Sequence, residues 1–149
     1  MVDKDDLREA ILEAKEEKGL TWEQIANAIN RSPVYAAMLC YGYGAATEEE
    51  ASALINLLGL PAEARRDLMA APHRTPVQPW PPTDPFVYRF YEVILLYGPV
   101  LKDVCHEMFG DGIMSAIDFF IDIQKVKGEE GEDRAKITFD GKWLVYRKF

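Results

Sequence analysis

The sequence predicts an α+β protein in which a five-helix N-terminal bundle precedes a long helix and a small antiparallel β module. Two observations indicate this class. Caps and glycines divide residues 1–70 into short segments with helical spacing, whereas apolar residues alternate with a period of two from Ile113. Residues 71–85 hold six of the nine prolines, which favours an extended strap. We therefore divide the chain into a bundle (1–70), the strap (71–85) and a C-terminal domain (86–149).

Charge and composition exclude several classes of protein. The chain has 149 residues, of which 48% are hydrophobic and 28% charged, as is typical of soluble globular proteins. A net charge of -8 does not attract nucleic acid or anionic membranes through the overall field. The longest apolar run, near Val93 to Leu101, is too short to cross a bilayer, and no signal segment follows the opening MVDKDD. We expect a cytoplasmic protein in which Cys40 and Cys105 are free thiols.

The predicted bundle begins with a helix that ends near Gly19, where a left-handed cap fits. The later helices have their own boundary signals, which are capping boxes, a Ser-Pro start, a terminal glycine and an opening proline: Thr21 with Gln24, Ser32 with Pro33, Thr47 with Glu50, Gly59 and Pro61. These signals predict five short helices in a small bundle.

The C-terminal domain is predicted to contain one long apolar helix and three strands. The helix starts at Asp84-Pro85 and ends near Phe109, and Gly98-Pro99 should kink or split it because proline lacks an N–H donor. A strand follows, then the solvated loop GEEGED. Asp140-Gly141, between RAKITF and KWLVYRKF, predicts a two-residue hairpin turn. So thin a sheet needs a partner to cover its apolar face, so we expect self-association.

The segment LTWEQIANAINRSPVYAAMLCYG resembles the helix-turn-helix of repressors. A helix that enters the major groove needs cations and polar side chains for phosphates and base edges. No charged residue lies between Ser32 and Thr47, and the preceding helix offers only Arg31. The favoured interpretation is a bundle that packs on another subunit, with a DNA-binding regulator as the alternative.

The stretch YRFYEVILLYG has only two charged residues, Arg89 and Glu92, on a helix that is otherwise apolar nearly all round. Such a helix is typically buried, and side chains three positions apart can touch. The spacing leaves two interpretations open. The residues form either a structural ion pair, internal or with its charged ends reaching an edge of the core, or part of a functional site.

Ser115 is the one hydroxyl on a predicted strand face that also includes Ile113 and Ile117. A buried hydroxyl needs a partner, which is either a nearby carbonyl or a group at a functional site. Other candidates are weaker. Adjacent side chains on a helix point about 100° apart, so Cys105-His106-Glu107 is not expected to contain a catalytic dyad. His73 lies in the strap, and the scattered histidines and cysteines predict no metal site.

Three motifs give the chain a resemblance to a known family. YRFYEVILLYG, LKDVCHEMFGDGIMSAIDFFIDIQKV and GEDRAKITFDGKWL closely resemble cyanases, also called cyanate hydratases or cyanate lyases. The similarity is dense from about Pro82 to Leu144 and looser but collinear through the N-terminal part. Two departures stand out: Gly98-Pro99 replaces a polar pair, and the chain ends in YRKF.

The resemblance implies an enzyme whose partners are cyanate and bicarbonate, which it converts to ammonia and carbon dioxide through a carboxylated carbamate-like dianion and carbamate. The family's catalytic residues fall on Arg89, Glu92 and Ser115. Glu92 would orient Arg89 or pass a proton, and both roles stay open. The resemblance further implies a homodecamer of intertwined dimers, a pentamer of dimers with sites at subunit interfaces, and no metal or organic cofactor. An inactive structural relative is a third possibility.

Overall fold

The N-terminal part of the chain forms five helices in the computed structural model, which describes residues 4–72 and 80–147. The five-helix prediction is confirmed, except that the last helix begins three residues after Pro61. The helices are α1 (Lys4–Glu17), α2 (Trp22–Ile29), α3 (Pro33–Cys40), α4 (Glu48–Leu58) and α5 (Ala64–Met69).

The predicted helix boundaries form through the expected local hydrogen bonds. Thr21 and Thr47 each accept from the backbone N–H three residues later, and both capping boxes close. Ser32 caps α3 with Pro33 at the first position. Gly59 ends α4 in the left-handed conformation, with a φ of 73°. These boundaries are confirmed because each depends on neighbours in the sequence.

Apolar side chains from the five helices form one core. Helix α2 packs against α3 and α4, and α4 packs against α5. The most deeply buried large side chains are Ile11, Ile25, Cys40 and Leu54. The bundle therefore buries its apolar faces within one chain, as a globular domain does.

Helix α6 (Pro85–Phe109) is one continuous helix of 25 residues. Asp84 caps it and accepts from the backbone N–H groups of Phe86 and Val87. Of the kink or split predicted at Gly98-Pro99, the split is wrong, because α6 continues through Pro99. The missing proline N–H removes one helical hydrogen bond, which a helix of this length tolerates. No helix in the described residues is long and apolar enough to cross a membrane.

The β module has two strands in the described residues, not the three predicted. Strand β1 (Gly112–Lys127) pairs with β2 (Asp133–Val145) across a short turn at 128–132, which gives an antiparallel hairpin. The predicted turn at Asp140-Gly141 is wrong, because β2 runs straight through both residues. The solvated loop, by contrast, is the hairpin connection.

The chain divides into two compact units. One comprises Met1–Arg74 and Phe120–Phe139, and the other comprises Thr75–Phe119 and Asp140–Phe149. Arg89, Glu92 and Ser115 all belong to the second unit. The three candidate site residues therefore lie in the same compact unit.

A buried carboxylate, Glu50, organises the polar contacts of the bundle. Its Oε1 accepts from Arg31 Nε at 2.7 Å, and its Oε2 accepts from the Thr47 backbone N–H at 2.9 Å. The Arg31 guanidinium also lies 5.1 Å from the ring centre of Tyr35. Arg31, the cation that a DNA-binding role would need, is therefore already paired within the bundle.

Burial by itself raises the pKa of Glu50, but hydrogen bonds from Thr47 and Arg31 outweigh it and hold the pKa below its ordinary value. The folded chain therefore binds a proton at Glu50 less readily than the unfolded chain does. The resulting stability is present above the unfolded pKa, about 4.3, and is lost as the pH falls through the folded pKa.

We predict that Glu50→Gln lowers the free energy of unfolding by about 1–3 kcal/mol at pH 7, because the amide cannot accept from all the donors around it. Urea denaturation followed by circular dichroism measures the change. The difference from the wild type should shrink as the pH falls below about 4. Glu49→Gln, an exposed neighbour on α4, is the control and should change stability little. Equal stability of the two variants at pH 7 would contradict the role of Glu50.

Candidate active site

Arg89 and Glu92 form an ion pair on one face of α6. Arg89 Nη1 donates to Glu92 Oε2, as the three-residue spacing predicts. The expectation that both are buried is wrong for the single chain, because the Arg89 side chain is 74% exposed and that of Glu92 is 37% exposed. The pair therefore holds a cation at the surface in a defined position.

The apolar residues around the pair are exposed as well. No residue of α6 is buried in the single chain, and Leu96 is 72% exposed. The other large apolar side chains of α6 that are at least about half exposed are Phe86, Val93, Ile94, Leu95, Tyr97, Val100, Leu101, Val104, Met108 and Phe109. A surface this large and apolar marks an interaction site, since monomeric proteins rarely expose one.

Ser115 is buried, with 7% of its surface exposed. Its Oγ accepts from the backbone N–H of Ile117 at 3.1 Å and from that of Asp118 at 2.9 Å. Within the part of the chain that the structure describes, its hydroxyl donates no hydrogen bond. The expected bond to a nearby carbonyl is therefore not formed, and the hydroxyl proton remains to be donated.

The strict alternation predicted around Ser115 is interrupted. Ser115 is buried whereas Ile113 and Ile117, its predicted companions on one face, are 50% and 83% exposed. The backbone must turn locally for both N–H groups to reach Ser115 Oγ. Such contacts between a serine side chain and its own backbone compete with regular strand pairing. The hydroxyl therefore lies at an irregular place in β1.

In the single chain, the three predicted site residues are not joined by hydrogen bonds into one group. Within the described residues, Ser115 makes no hydrogen bond or ion pair with Arg89 or Glu92. The pair lies on α6 and Ser115 lies on β1. A ligand that uses all three residues would therefore lie between Ser115 and the ion pair.

His106 connects the end of α6 with the start of β1. Its Nε2 lies 3.0 Å from the Gly112 carbonyl oxygen, and its Nδ1 lies 3.2 Å from a carboxylate oxygen of Asp111. The backbone N–H of Tyr146 donates to the Asp111 carbonyl at 3.0 Å. His106 therefore has a structural role, which is to hold the end of α6 against the start of β1. The sequence argued against a Cys105–His106 dyad but did not predict this role. The sequence feature that could have indicated it is the HEMFGDG motif, which contains His106 and both of its contacts, Asp111 and Gly112.

The remaining nucleophiles and ligands give no second site. Cys40 and Cys105 are free thiols, and burial raises the pKa of Cys40 to about 12, so it stays protonated. In residues 4–72 and 80–147, no group of three or more His, Cys, Asp or Glu side chains is placed to hold a metal ion. His73 lies outside the described residues.

Comparison with known proteins assigns both parts of the chain. Residues 4–72 match the family model "Cyanate hydratase, N-terminal", and residues 79–148 match "Cyanate lyase C-terminal domain". The chain belongs to the cyanate hydratase family. Its helix-turn-helix-like bundle is thus the N-terminal domain of this family.

Individual relatives agree over nearly their full lengths. The chain is 59% identical to a cyanate hydratase of Sulfurisphaera tokodaii, and the match covers 100% of both sequences. It is 56% identical to that of Aquifex aeolicus over 96% of this chain and 95% of the relative. The crystal structure of cyanase from T. urticae superimposes with a TM-score of 0.82 at 36% identity, covering 93% of this chain and 96% of that one. The predicted fold class is confirmed by this cyanate hydratase fold.

Gly141 is the residue near the candidate site that the sequence misassigned. It lies in β2, where a Cβ atom would come 2.6 Å from the Ser115 carbonyl oxygen. The sequence signal, an Asp-Gly pair between two strand-like runs, also fits a hairpin turn. The close approach of β1 shows that Gly141 is a strand residue and not part of a hairpin turn.

Proposed function

We propose that this protein decomposes cyanate in a bicarbonate-dependent reaction. The observation that supports this most strongly is Arg89, a paired cation on an apolar surface helix in a chain that matches cyanate hydratases from end to end. Cyanate and bicarbonate combine into a carboxylated carbamate-like dianion. The dianion releases carbon dioxide and takes up a proton to leave carbamate, which takes up a second proton and decomposes to ammonia and carbon dioxide. No metal or organic cofactor is needed in this scheme.

The chemistry requires fixed positive charge, because it joins two anions that repel each other. Arginine suits this role, since its planar guanidinium can bind a carboxylate through two parallel hydrogen bonds. Its effect is largest where charge is greatest, which is on the dianion and the transition states around it. We assign Arg89 to this position.

Glu92 orients the cation. Its carboxylate accepts from Arg89 Nη1, which leaves the other N–H groups of the guanidinium for a ligand. In this scheme, Glu92 holds Arg89 in place before the anions arrive. Such preorganisation avoids a rearrangement during the reaction.

Ser115 donates a hydrogen bond to an anion oxygen. Both of its backbone contacts use the oxygen as an acceptor, so the hydroxyl proton is the group that it can offer. We do not assign it a nucleophilic role, because no histidine or lysine in the described residues is hydrogen-bonded to it. Its burial supports a donor that works away from bulk water, where an electrostatic contact is stronger.

We propose that the site forms between subunits of a homodecamer made of five intertwined dimers. The exposed apolar surface of α6 supports self-association. Within the described residues Ser115 makes no hydrogen bond with the ion pair, which supports sites shared between subunits. Residues 86–149 act as the catalytic and dimerisation domain in this arrangement, with 1–70 as the bundle and 71–85 as the strap. The two free thiols are consistent with a reducing, cytoplasmic location.

Purified protein should release ammonia from cyanate only when bicarbonate is supplied, because bicarbonate provides the second half of the dianion. The measurement is ammonia release in buffer freed of carbon dioxide, with and without added bicarbonate. Ammonia release that is independent of bicarbonate would contradict the proposed reaction. Intact assembly without turnover would identify an inactive structural relative.

We predict that Arg89→Lys keeps the assembly but lowers kcat by about 100- to 1,000-fold, as when one preorganised donor is lost from an anion site. Lysine keeps the charge and loses the planar fork. Steady-state kinetics and light scattering measure the two effects. Arg134→Lys is a matched control, because Arg134 also forms an exposed ion pair, with Glu132. Full turnover of Arg89→Lys would show that the Arg89 pair is only structural.

A further inference from the structure

We propose that Gly141 is a positioning residue for Ser115, and this inference rests on the proposed role of Ser115 as a hydrogen-bond donor. Gly141 lies on β2, and Ser115 lies at the irregular place in β1 described above. The two residues belong to the same unit of the chain. Gly141 leaves the space that the local turn at Ser115 needs.

The argument begins with the space around the Gly141 Cα. A Cβ added there would lie 2.6 Å from the Ser115 carbonyl oxygen and 3.1 Å from Cδ2 of Phe119, and it would also overlap Cγ of Met114. Real Cβ atoms essentially never come within 3.0 Å of such neighbours. Side chains can rotate away, but a carbonyl oxygen moves only with its backbone. Any residue other than glycine must therefore move the Ser115 and Gly141 backbones apart, which changes the position of Ser115 relative to β2.

Conformational freedom does not explain this glycine. Its φ angle is not among the positive φ values of the described residues, so an alanine could adopt the same backbone conformation. Close approach of another backbone is the second reason for a glycine within a strand. The requirement at Gly141 is therefore steric and is directed at the residue that would bind the anion.

The displacement would act on the hydroxyl through its own backbone contacts. Ser115 Oγ is held by the N–H groups of Ile117 and Asp118, which lie two and three residues further along the same turn. When the Ser115 carbonyl moves, these two hydrogen bonds must lengthen or break. The hydroxyl then loses the fixed direction in which it donates.

The test is Gly141→Ala, with assembly measured by light scattering and kinetics measured with cyanate and bicarbonate. We expect an intact assembly with kcat lowered by about 10- to 100-fold, because a shift near 1 Å in a catalytic group has effects of this size. Hydrogen exchange at the amides of Ile117 and Asp118 should become faster. Asp140→Ala, an exposed neighbour on β2, is the matched control and should change neither quantity.

A double-mutant cycle shows whether Gly141 acts through Ser115. If it does, the kcat of the double variant Ser115→Ala with Gly141→Ala should be within about two-fold of that of Ser115→Ala alone. Once the Ser115 hydroxyl has been removed, the substitution at Gly141 can no longer displace it. Full activity of Gly141→Ala would overturn the proposal, and so would an equal loss with and without the Ser115 hydroxyl. A fully active Ser115→Ala variant would instead overturn the proposed role of Ser115, and the positioning role with it.

A second variant keeps the test valid if Gly141→Ala alone does not assemble. Combining Gly141→Ala with Met114→Ala removes the overlap with the Met114 side chain and leaves the contact with the Ser115 carbonyl. We expect this pair to assemble and to remain at least about 10-fold less active than Met114→Ala alone. Activity equal to that of Met114→Ala would show that the contact acts through the methionine, which would overturn the proposal.

Discussion

Helix α6 is apolar nearly all round, and none of its residues is buried in the single chain. The five N-terminal helices bury their apolar faces in their own core, and the β hairpin is too small to enclose a helix of 25 residues. In the proposed assembly, neighbouring subunits cover this surface and exclude water from the Arg89–Glu92 pair. This constraint joins assembly to chemistry, because a guanidinium attracts an anion more strongly once water is excluded.

The second determinant of the proposed site is the local geometry of Ser115. The hydroxyl of a serine in a regular strand is not fixed by the local backbone. Here two backbone N–H groups donate to Ser115 Oγ, so the hydroxyl proton is free to be donated. In the proposed site, Arg89 supplies charge and Ser115 supplies a directed donor. An enzyme that joins two small anions needs both, because charge alone attracts them without orienting them.

Local signals in the sequence predicted local structure well. The capping boxes of α2 and α4, the cap of α3 and the ion pair on α6 all form as expected, since each depends on residues a few positions apart. Contacts distant in sequence decided the rest. Asp140-Gly141 fits a turn locally, but packing against β1 makes it part of a strand. The burial expected for α6 is not found in the single chain, because periodicity shows that a helix is apolar and does not show which chain covers it.

The central claim is that residues of different subunits form one site, and subunit mixing tests it most directly. Assemblies of Arg89→Lys and of Ser115→Ala would be dissociated, mixed and reassembled, with native mass spectrometry to verify that mixed assemblies form. If a site takes Arg89 and Ser115 from different subunits, some mixed sites contain both wild-type residues, and activity should rise well above that of either variant treated alone. Mixed assemblies that are no more active than the two parents would contradict the claim.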